Sequence, residues 1–419
     1  MSHHVHPAAP AAPHFTVAVW DARHRSADTT LREIVSRARV IAVGESAHFI
    51  AELNAGRATL VEALIRDADV RSLALEIGHD EAPLVEQWLA GRRPGALRAV
   101  VGPLTAALYG TFLEDLRARL APDHNIRVLG VDLPNSLTIE PSIAPLADVL
   151  AVVDPAAAEL VQSARELARR IVGGSAAASA ASWLALDRSD QDSLTVAMTR
   201  LRARVDALRA VHERGGDAEL WREAGALVDA AVTTDVMLRA MADLFSGVGR
   251  IDDTTIREAF VARRIVDEVR ALPAGGRIAY VAHNNHIQKT PVVFDGVLTA
   301  YPAGSLLAGS LGSDYRAVAL THVDGQVPEM IFPATTDVGF RVERVTAADV
   351  DECCVEAAAG GVLRSADAAI VRWEAEADTA TLRIRSQSAL TDVGTAAFDA
   401  ALVFASATTD AAVTALGLD

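Results

Sequence analysis

The sequence predicts an α/β fold: a mostly parallel central sheet with flanking crossover helices and a large inserted helical bundle. Two observations predict it. Five short apolar runs end in polar residues and are separated by segments of helical spacing, the pattern of strands buried on both faces. Between the third and fourth runs, from about Pro141 to Arg270, apolar residues recur at helical spacing with few strand signals.

The runs are Arg39–Glu45, Arg71–Gly78, Ile126–Pro134, Gly276–His283 and Tyr315–His322, with a later one at Phe398–Phe404. Within the helical stretch, Leu160–Val172, Leu194–His212 and Leu220–Phe245 carry the clearest spacing. The expected organisation is a disordered tail over residues 1–15, rich in His, Ala and Pro, then a first βα half over 16–140. A helical insertion or cap over 141–250 and a second βα half over 251–419 complete it. In parallel sheets ligands bind outside the carboxyl ends of the strands, and Glu45, Glu76, Asp132 and His283 all lie at or near such ends.

Composition narrows the function classes. The 419 residues are 51% hydrophobic and 22% charged, enough apolar content for a sizeable core. The 55 acidic residues outnumber the 39 basic ones, and a net charge of −16 repels phosphate backbones, which argues against nucleic acid. Lys289 is the single lysine, a sign of codon bias rather than chemistry. Cys353 and Cys354 are adjacent and poorly placed for a disulfide, which fits a reducing compartment. The longest weakly polar stretch, Ile171–Leu186, is too short to span a bilayer, and no basic residue precedes an apolar run at the start of the chain. The expectation is a cytoplasmic protein with no membrane or nucleic-acid partner; the sequence leaves its oligomeric state open.

The densest polar cluster is Gly44-Glu45-Ser46-Ala47-His48, directly after the first run, with Glu52 and Arg57 on the helix that follows. Glu76 ends the second run, and His283-Asn284-Asn285-His286 follows the fourth. Histidine at such a site serves as a general base near neutral pH, with a carboxylate holding its tautomer. Blander readings stand beside this one: Glu45 or Glu76 as a helix cap or as the buried partner of Arg57. Metal ligation by two or three histidines and a carboxylate is a further reading. Against it, no His-Glu-x-x-His motif is present, and Asn284 and Asn285 suggest hydrogen bonding rather than ligation. There is no Gly-x-Ser-x-Gly elbow and no P-loop. Ser46 is a weaker nucleophile candidate beside His48. His79, Asp80 and Glu81 read as solvent-exposed, and Cys353 as an inert packed thiol.

Val43-Gly-Glu-Ser-Ala-His48 with Glu52 and Arg57 resembles the opening motif of the erythromycin esterase family. Leu73-Ala-Leu-Glu76 followed by Trp88-Leu-Ala-Gly91 is similar to its next motif, and Arg257-Glu258 to its arginine–acid pair. Ala282-His-Asn-Asn-His286 resembles its most diagnostic signature, and Gly304–Leu320 and Phe398-Asp399 follow in order. The resemblance spans roughly Val40 to Phe404 and implies an erythromycin esterase-like fold. It also implies a hydrolase of macrolide lactones or related carboxylic esters that uses neither a serine nucleophile nor a required metal or other cofactor. Carried over residue by residue, it implies an active site of His48, Glu45, Glu76, His283 and His286, with Arg57 as a supporting charge. Phe49 stands where relatives usually have glycine, Leu84 where they often carry an active-site arginine, and Arg264 at an asparagine position. A lost cation and an added phenylalanine point to a more apolar substrate.

The expected function is a metal-independent hydrolase of carboxylic esters or lactones, macrolide-like or another natural product, in which a histidine activates water. His48 is the first choice for the base and His286 the second. Arg57, Glu52, Phe49, Leu84 and Arg257 are the expected substrate-binding residues. One alternative is a biosynthetic enzyme of the same fold performing acyl transfer, cyclisation or elimination. Another is a non-catalytic metal- or ligand-binding protein.

Overall fold

In a computed structural model of the chain, the described residues are 12–21, 29–121, 124–173, 176–212, 214–248, 250, 255–294, 298–374 and 381–419. The first elements are β1 (His14–Val19), α1 (Thr29–Val35), β2 (Val40–Val43), α2 (Ala51–Asp67), β3 (Val70–Gly78), α3 (Ala82–Leu89), α4 (Pro103–Arg119) and β4 (Arg127–Asp132). Six α-helices follow with no strand between them among the described residues. They are α5 (Glu140–Val153), α6 (Ala158–Ala168), α7 (Ala176–Leu184), α8 (Arg188–His212), α9 (Ala218–Phe245) and α10 (Thr255–Ala271). Next come β5 (Arg277–Val281), the single-turn α11 (Asn284–Ile287), the pair β6 (Val292–Phe294) and β7 (Leu298–Ala300), α12 (Ala303–Leu311) and β8 (Tyr315–His322). The chain finishes with β9 (Gln326–Ile331), β10 (Arg341–Thr346), α13 (Val355–Ala359), β11 (Ala368–Glu374), β12 (Arg383–Ser386), β13 (Ala389–Asp392), β14 (Ala400–Phe404) and α14 (Ala412–Ala415).

Eight strands form one mostly parallel sheet in the order β1-β11-β14-β8-β2-β5-β3-β4. β14, β8, β2 and β5 run parallel to their neighbours, and every residue of β2 and β14 is buried. Their uninterrupted apolar sequences are what two covered faces require. β11 is antiparallel to β14, and β1 is antiparallel to β11 at the edge. This antiparallel edge is absent from the expectations. The tail expected over residues 1–15 lies outside the described residues as far as residue 11, but His14 and Phe15 already belong to β1 and pair with Glu374 and Trp373. The cross-strand hydrogen bonds order a segment that composition alone assigns to disorder.

The chain divides into two compact units. The first comprises Met1–Ala74, Gln87–Arg127 and Val269–Asp419, and the second Leu75–Glu86 and Val128–Glu268. The second contains the helices expected over the long insertion. Its core joins Ile143, Leu150, Trp183, Leu194, Leu201, Trp221, Val228, Leu238 and Phe260. Arg202 bridges Asp206 at 2.7 Å and Asp229 at 2.6 Å, tying α8 to α9. Within this unit the ends of β3 and β4 approach very closely: a Cβ on Gly130 would lie 2.5 Å from the Gly78 carbonyl oxygen and 2.7 Å from the His79 Cα. Only a residue without a side chain fits there.

Cys353 and Cys354 are buried free thiols, and burial pushes Cys354 up to about 12. Among the described residues, no helix is long and apolar enough to cross a membrane.

Gly130→Ala forces a methyl group into backbone that cannot yield. Overpacking of this kind costs about 1–3 kcal/mol, so thermal unfolding of the variant should shift downward. An unchanged transition would contradict the close approach.

Candidate active site

In the first unit, the parallel register aligns Val43 of β2 with Val281 of β5 and with Val318 of β8. The segments leaving β2 and β5 therefore emerge side by side at the carboxyl ends of the strands. Backbone bonds join them, with Asn284 N donating to Glu45 O at 2.8 Å. Asn284 reaches across β2, its Nδ2 donating to Leu320 O of β8 at 3.0 Å. It passes so near Gly44 that a Cβ there would sit 1.9 Å from Asn284 Oδ1. Glycine at position 44 is thus dictated by the asparagine that follows His283.

Glu45 is 1% exposed, and its Oε1 meets two partners: His48 Nδ1 at 2.9 Å and Arg57 Nη1 at 2.8 Å. Burial alone would raise the Glu45 carboxyl. The Arg57 cation, followed by the His48 ring and its hydrogen bond and by His283, outweighs burial and holds it below its ordinary 4.5. Glu45 is therefore an ionised acceptor at neutral pH, so His48 Nδ1 carries the proton it donates. A neutral His48 in that tautomer presents a lone pair on Nε2, which has no hydrogen-bond partner among the described residues. The ring is partly accessible, its side chain 14% exposed.

The sequence proposes two roles for Glu45, tautomer holder for a histidine and buried partner of Arg57, and the structure gives it both. Arg57 is completely buried beneath the site. Its guanidinium lies 5.1 Å from the Phe112 ring centroid and 5.8 Å from that of Tyr109. This packing removes it from substrate reach and makes it a counter-ion.

His283 caps α11. Its Nδ1 accepts from Asn285 N at 3.1 Å, and its Nε2 lies 2.9 Å from Ser46 O. A backbone N–H on one nitrogen and a backbone carbonyl on the other leave one neutral tautomer, protonated at Nε2. Both nitrogens are thus committed to backbone groups, and the ring clamps the β5 loop onto the β2 loop, 5.4 Å from the His48 ring between centroids. His286 is half-buried at the end of the same turn. Ser46 is fully buried and its Oγ has no hydrogen-bond partner among the described residues, so none of them activates it as a nucleophile.

Two expected substrate contacts lie elsewhere in the fold's accounting. The Glu52 carboxylate accepts from Thr408 N at 2.8 Å and Thr408 Oγ1 at 2.7 Å, tying α2 to the C-terminal segment. Phe49 is 3% exposed and packs with Phe340, Val342, Val413 and Leu418. Its φ of 62° is left-handed, a conformation costing roughly 1–2 kcal/mol in a residue with a Cβ. Burial of the ring against Phe340, 5.8 Å away, offsets that strain.

The second unit holds a charged cluster. Arg257 Nη2 meets Glu76 Oε1 at 2.7 Å, and its Nε meets Asp132 Oδ1 at 2.9 Å, with Glu258 at 3.8 Å from Nη1. Despite the cost of burial, these carboxylates raise the arginine well above its ordinary value, so it is a permanent cation. Leu84 is half-buried on α3 in the same unit. His79, expected in solvent, is instead half-buried, with Nε2 3.3 Å from Ser142 Oγ. Burial, aided by Arg264, lowers its ring to about 4.

Sequence reasoning missed Asn54 and Asp410 beside Arg57. Asn54 sits one turn before Arg57, an i, i+3 signal that was available. Asp410 lies 356 residues from Asn54 and left no local signal. Among the described residues, no three His, Cys, Asp or Glu side chains are grouped to hold a metal ion.

Glu45→Gln keeps the shape but leaves Arg57 a buried cation without its anion, which costs about 3 kcal/mol at neutral pH. A carboxylate whose folded pKa is depressed contributes stability above its unfolded value, near 4.5, and loses it as pH falls through the folded value. The gap between wild type and variant in denaturant titrations should be full at pH 7 and shrink below about pH 4.5. A gap that does not change with pH would contradict the ionised assignment.

The erythromycin esterase family model matches residues 65–397. That range includes Glu76, Arg257, His283 and His286, whereas Glu45, His48 and Arg57 precede it. Erythromycin esterase type I of Escherichia coli is 32% identical over 387 residues, covering 91% of this chain and 94% of that one. Erythromycin esterase type II of Escherichia coli is 27% identical over 338 residues, covering 79% and 80%. A mutant of the erythromycin esterase EreC in its open conformation superposes with a TM-score of 0.85 at 32% identity, over 95% of this chain and 99% of that one. A succinoglycan biosynthesis protein, at 15% identity and a TM-score of 0.69 over 93% and 94% of the two chains, shares the fold alone. With the family model covering most of the chain and a relative above 30% identity along nearly all of it, this protein belongs to the erythromycin esterase family of carboxylic ester hydrolases.

Proposed function

We propose that the protein hydrolyses a macrolide or a related lactone or carboxylic ester with His48 as general base. The observation that carries this reading is the bond from His48 Nδ1–H to an ionised, buried Glu45, which leaves the Nε2 lone pair to accept a proton. Nε2 takes a proton from water as the water oxygen bonds to the ester carbonyl carbon. The resulting imidazolium is stabilised by Glu45 and returns the proton to the leaving alkoxide as the tetrahedral intermediate collapses. General-base help of this kind contributes about 10²–10⁴-fold.

The other groups divide the remaining work. His283, with both nitrogens on backbone groups, holds the two loops in place and has no lone pair for a proton or a metal ion. Arg57 keeps Glu45 ionised from beneath. His286 is the candidate donor to the oxyanion or the leaving oxygen. The substrate class is carried by the relatives named for erythromycin and by the family they define.

Incubation of a macrolide panel and simple esters in ¹⁸O-labelled water, with mass spectrometry, tests the reaction. A product that gains one water and carries the label is expected, since transfer to another acceptor leaves solvent oxygen out. Chelation should leave the rate unchanged. His48→Asn should remain folded and lose about 10²-fold or more in kcat. A folded His48→Asn variant with near-normal turnover would remove His48 from the role of base.

A further inference from the structure

Arg57 is the counter-ion on which the charge state of Glu45 depends, yet its own hold is sparse. Among the described residues its Nε has no hydrogen-bond partner, and Nη1 forms an ion pair with Glu45 Oε1 at 2.8 Å. The Tyr109 and Phe112 rings flank it without fixing its rotation. Among the described residues, the one hydrogen bond that orients the guanidinium runs from Nη2 to Asn54 Oδ1, at 2.5 Å.

Asn54 in turn has no freedom to flip. Its Nδ2 donates to Asp410 Oδ2 at 2.6 Å. Arg57 offers only donors and Asp410 only acceptors, so the amide must turn its oxygen to the arginine and its nitrogen to the carboxylate. Asp410 is 4% exposed, and its other oxygen accepts from Thr111 Oγ1 at 2.9 Å and Ala412 N at 2.8 Å. Donation therefore runs one way along this stretch, from Arg57 through Asn54 to Asp410. The segment is itself pinned to the active-site loop, with Asp410 N donating to Phe49 O at 2.8 Å and Ala51 N to Thr408 O at 3.0 Å.

We propose that Asn54 and Asp410 are positioning residues of the hydrolase site, which fix through Arg57 the carboxylate that orients His48. Neither touches the reacting atoms. The inference rests on His48 as the base. It extends the site to a pair of residues at opposite ends of the sequence.

The test is a polarity swap. Asp410→Asn gives Asn54 a neighbour that cannot accept from it while also accepting from Thr111 and Ala412. One amide must then turn a donor toward another donor, and the disturbance reaches Arg57. A fall in kcat of roughly 10- to 100-fold is expected, with KM nearly unchanged, because the displaced group acts on the chemical step. Combining it with Asn54→Asp exchanges carboxylate and amide. Arg57 then donates to a carboxylate at position 54, the amide at 410 donates to that carboxylate, and its oxygen accepts from Thr111 and Ala412 N. The double variant should recover kcat to within about fivefold of wild type.

Wild-type kcat in Asp410→Asn, or no recovery in a folded double variant, would overturn the proposal. His48→Asn assayed alongside separates the layers. If it is inactive while Asp410→Asn is normal, only the positioning role falls; if it is active, the base assignment and this inference fall together. Should Asp410→Asn not fold, Thr111→Val is read by ¹⁵N spectra of the His48 ring and by kcat. A shifted tautomer balance with reduced kcat supports the network, and an unchanged ring with unchanged kcat overturns it.

Discussion

One buried carboxylate governs the chemistry of this site. Glu45 is almost without solvent, and an anion in that position is tolerated only when its charge is met at once. Arg57 meets it as an ion pair, and His48 hydrogen-bonds to the same oxygen. The arrangement converts burial, which by itself would neutralise Glu45, into a fixed acceptor that sets the tautomer of the histidine above it. The same low-dielectric surroundings strengthen both contacts and make each partner costly to lose.

The backbone around this carboxylate is held as firmly as the charge. Parallel pairing of β2 with β5 and β8 delivers the Glu45 and His283 loops to one end of the sheet in a fixed register. His283 then fastens one loop to the other through two backbone groups, and Asn284 reaches over Gly44 to β8. Two residues of a signature that reads as catalytic therefore do the work of a clamp. This explains how a histidine with no lone pair to offer belongs beside one that has it. The strained Phe49 and the C-terminal segment close the loop from the other side, through an apolar cluster and the bonds of Asp410.

The helical unit follows a different logic. Its core is apolar at helical spacing, and its charged cluster joins Arg257, Glu76 and Asp132. Three carboxylates surround this one arginine. Arg257 is thereby bound to protein anions, a use that the sequence-level reading as a substrate contact does not anticipate.

The sequence by itself determined the fold class, the sheet strands that run parallel, the helical insertion and the family, because these are written in local patterns: apolar runs, helical spacing and motifs of a few residues. It also singled out Glu45, His48, Arg57, His283 and His286, since each lies within or just after a short motif that follows a strand. What each side chain does with its atoms was decided by tertiary structure. The antiparallel edge of β1 and β11 pairs residues at least 350 positions apart, so no local pattern announces it. The assignment of His283 to backbone hydrogen bonds, of Glu52 to Thr408 and of Phe49 to the core depends on partners far along the chain. Asp410 is the limiting case. An aspartate near a C-terminus is ordinary in sequence, and it matters here only because folding buries it against Asn54, where an unpaired polar group would be too costly to keep.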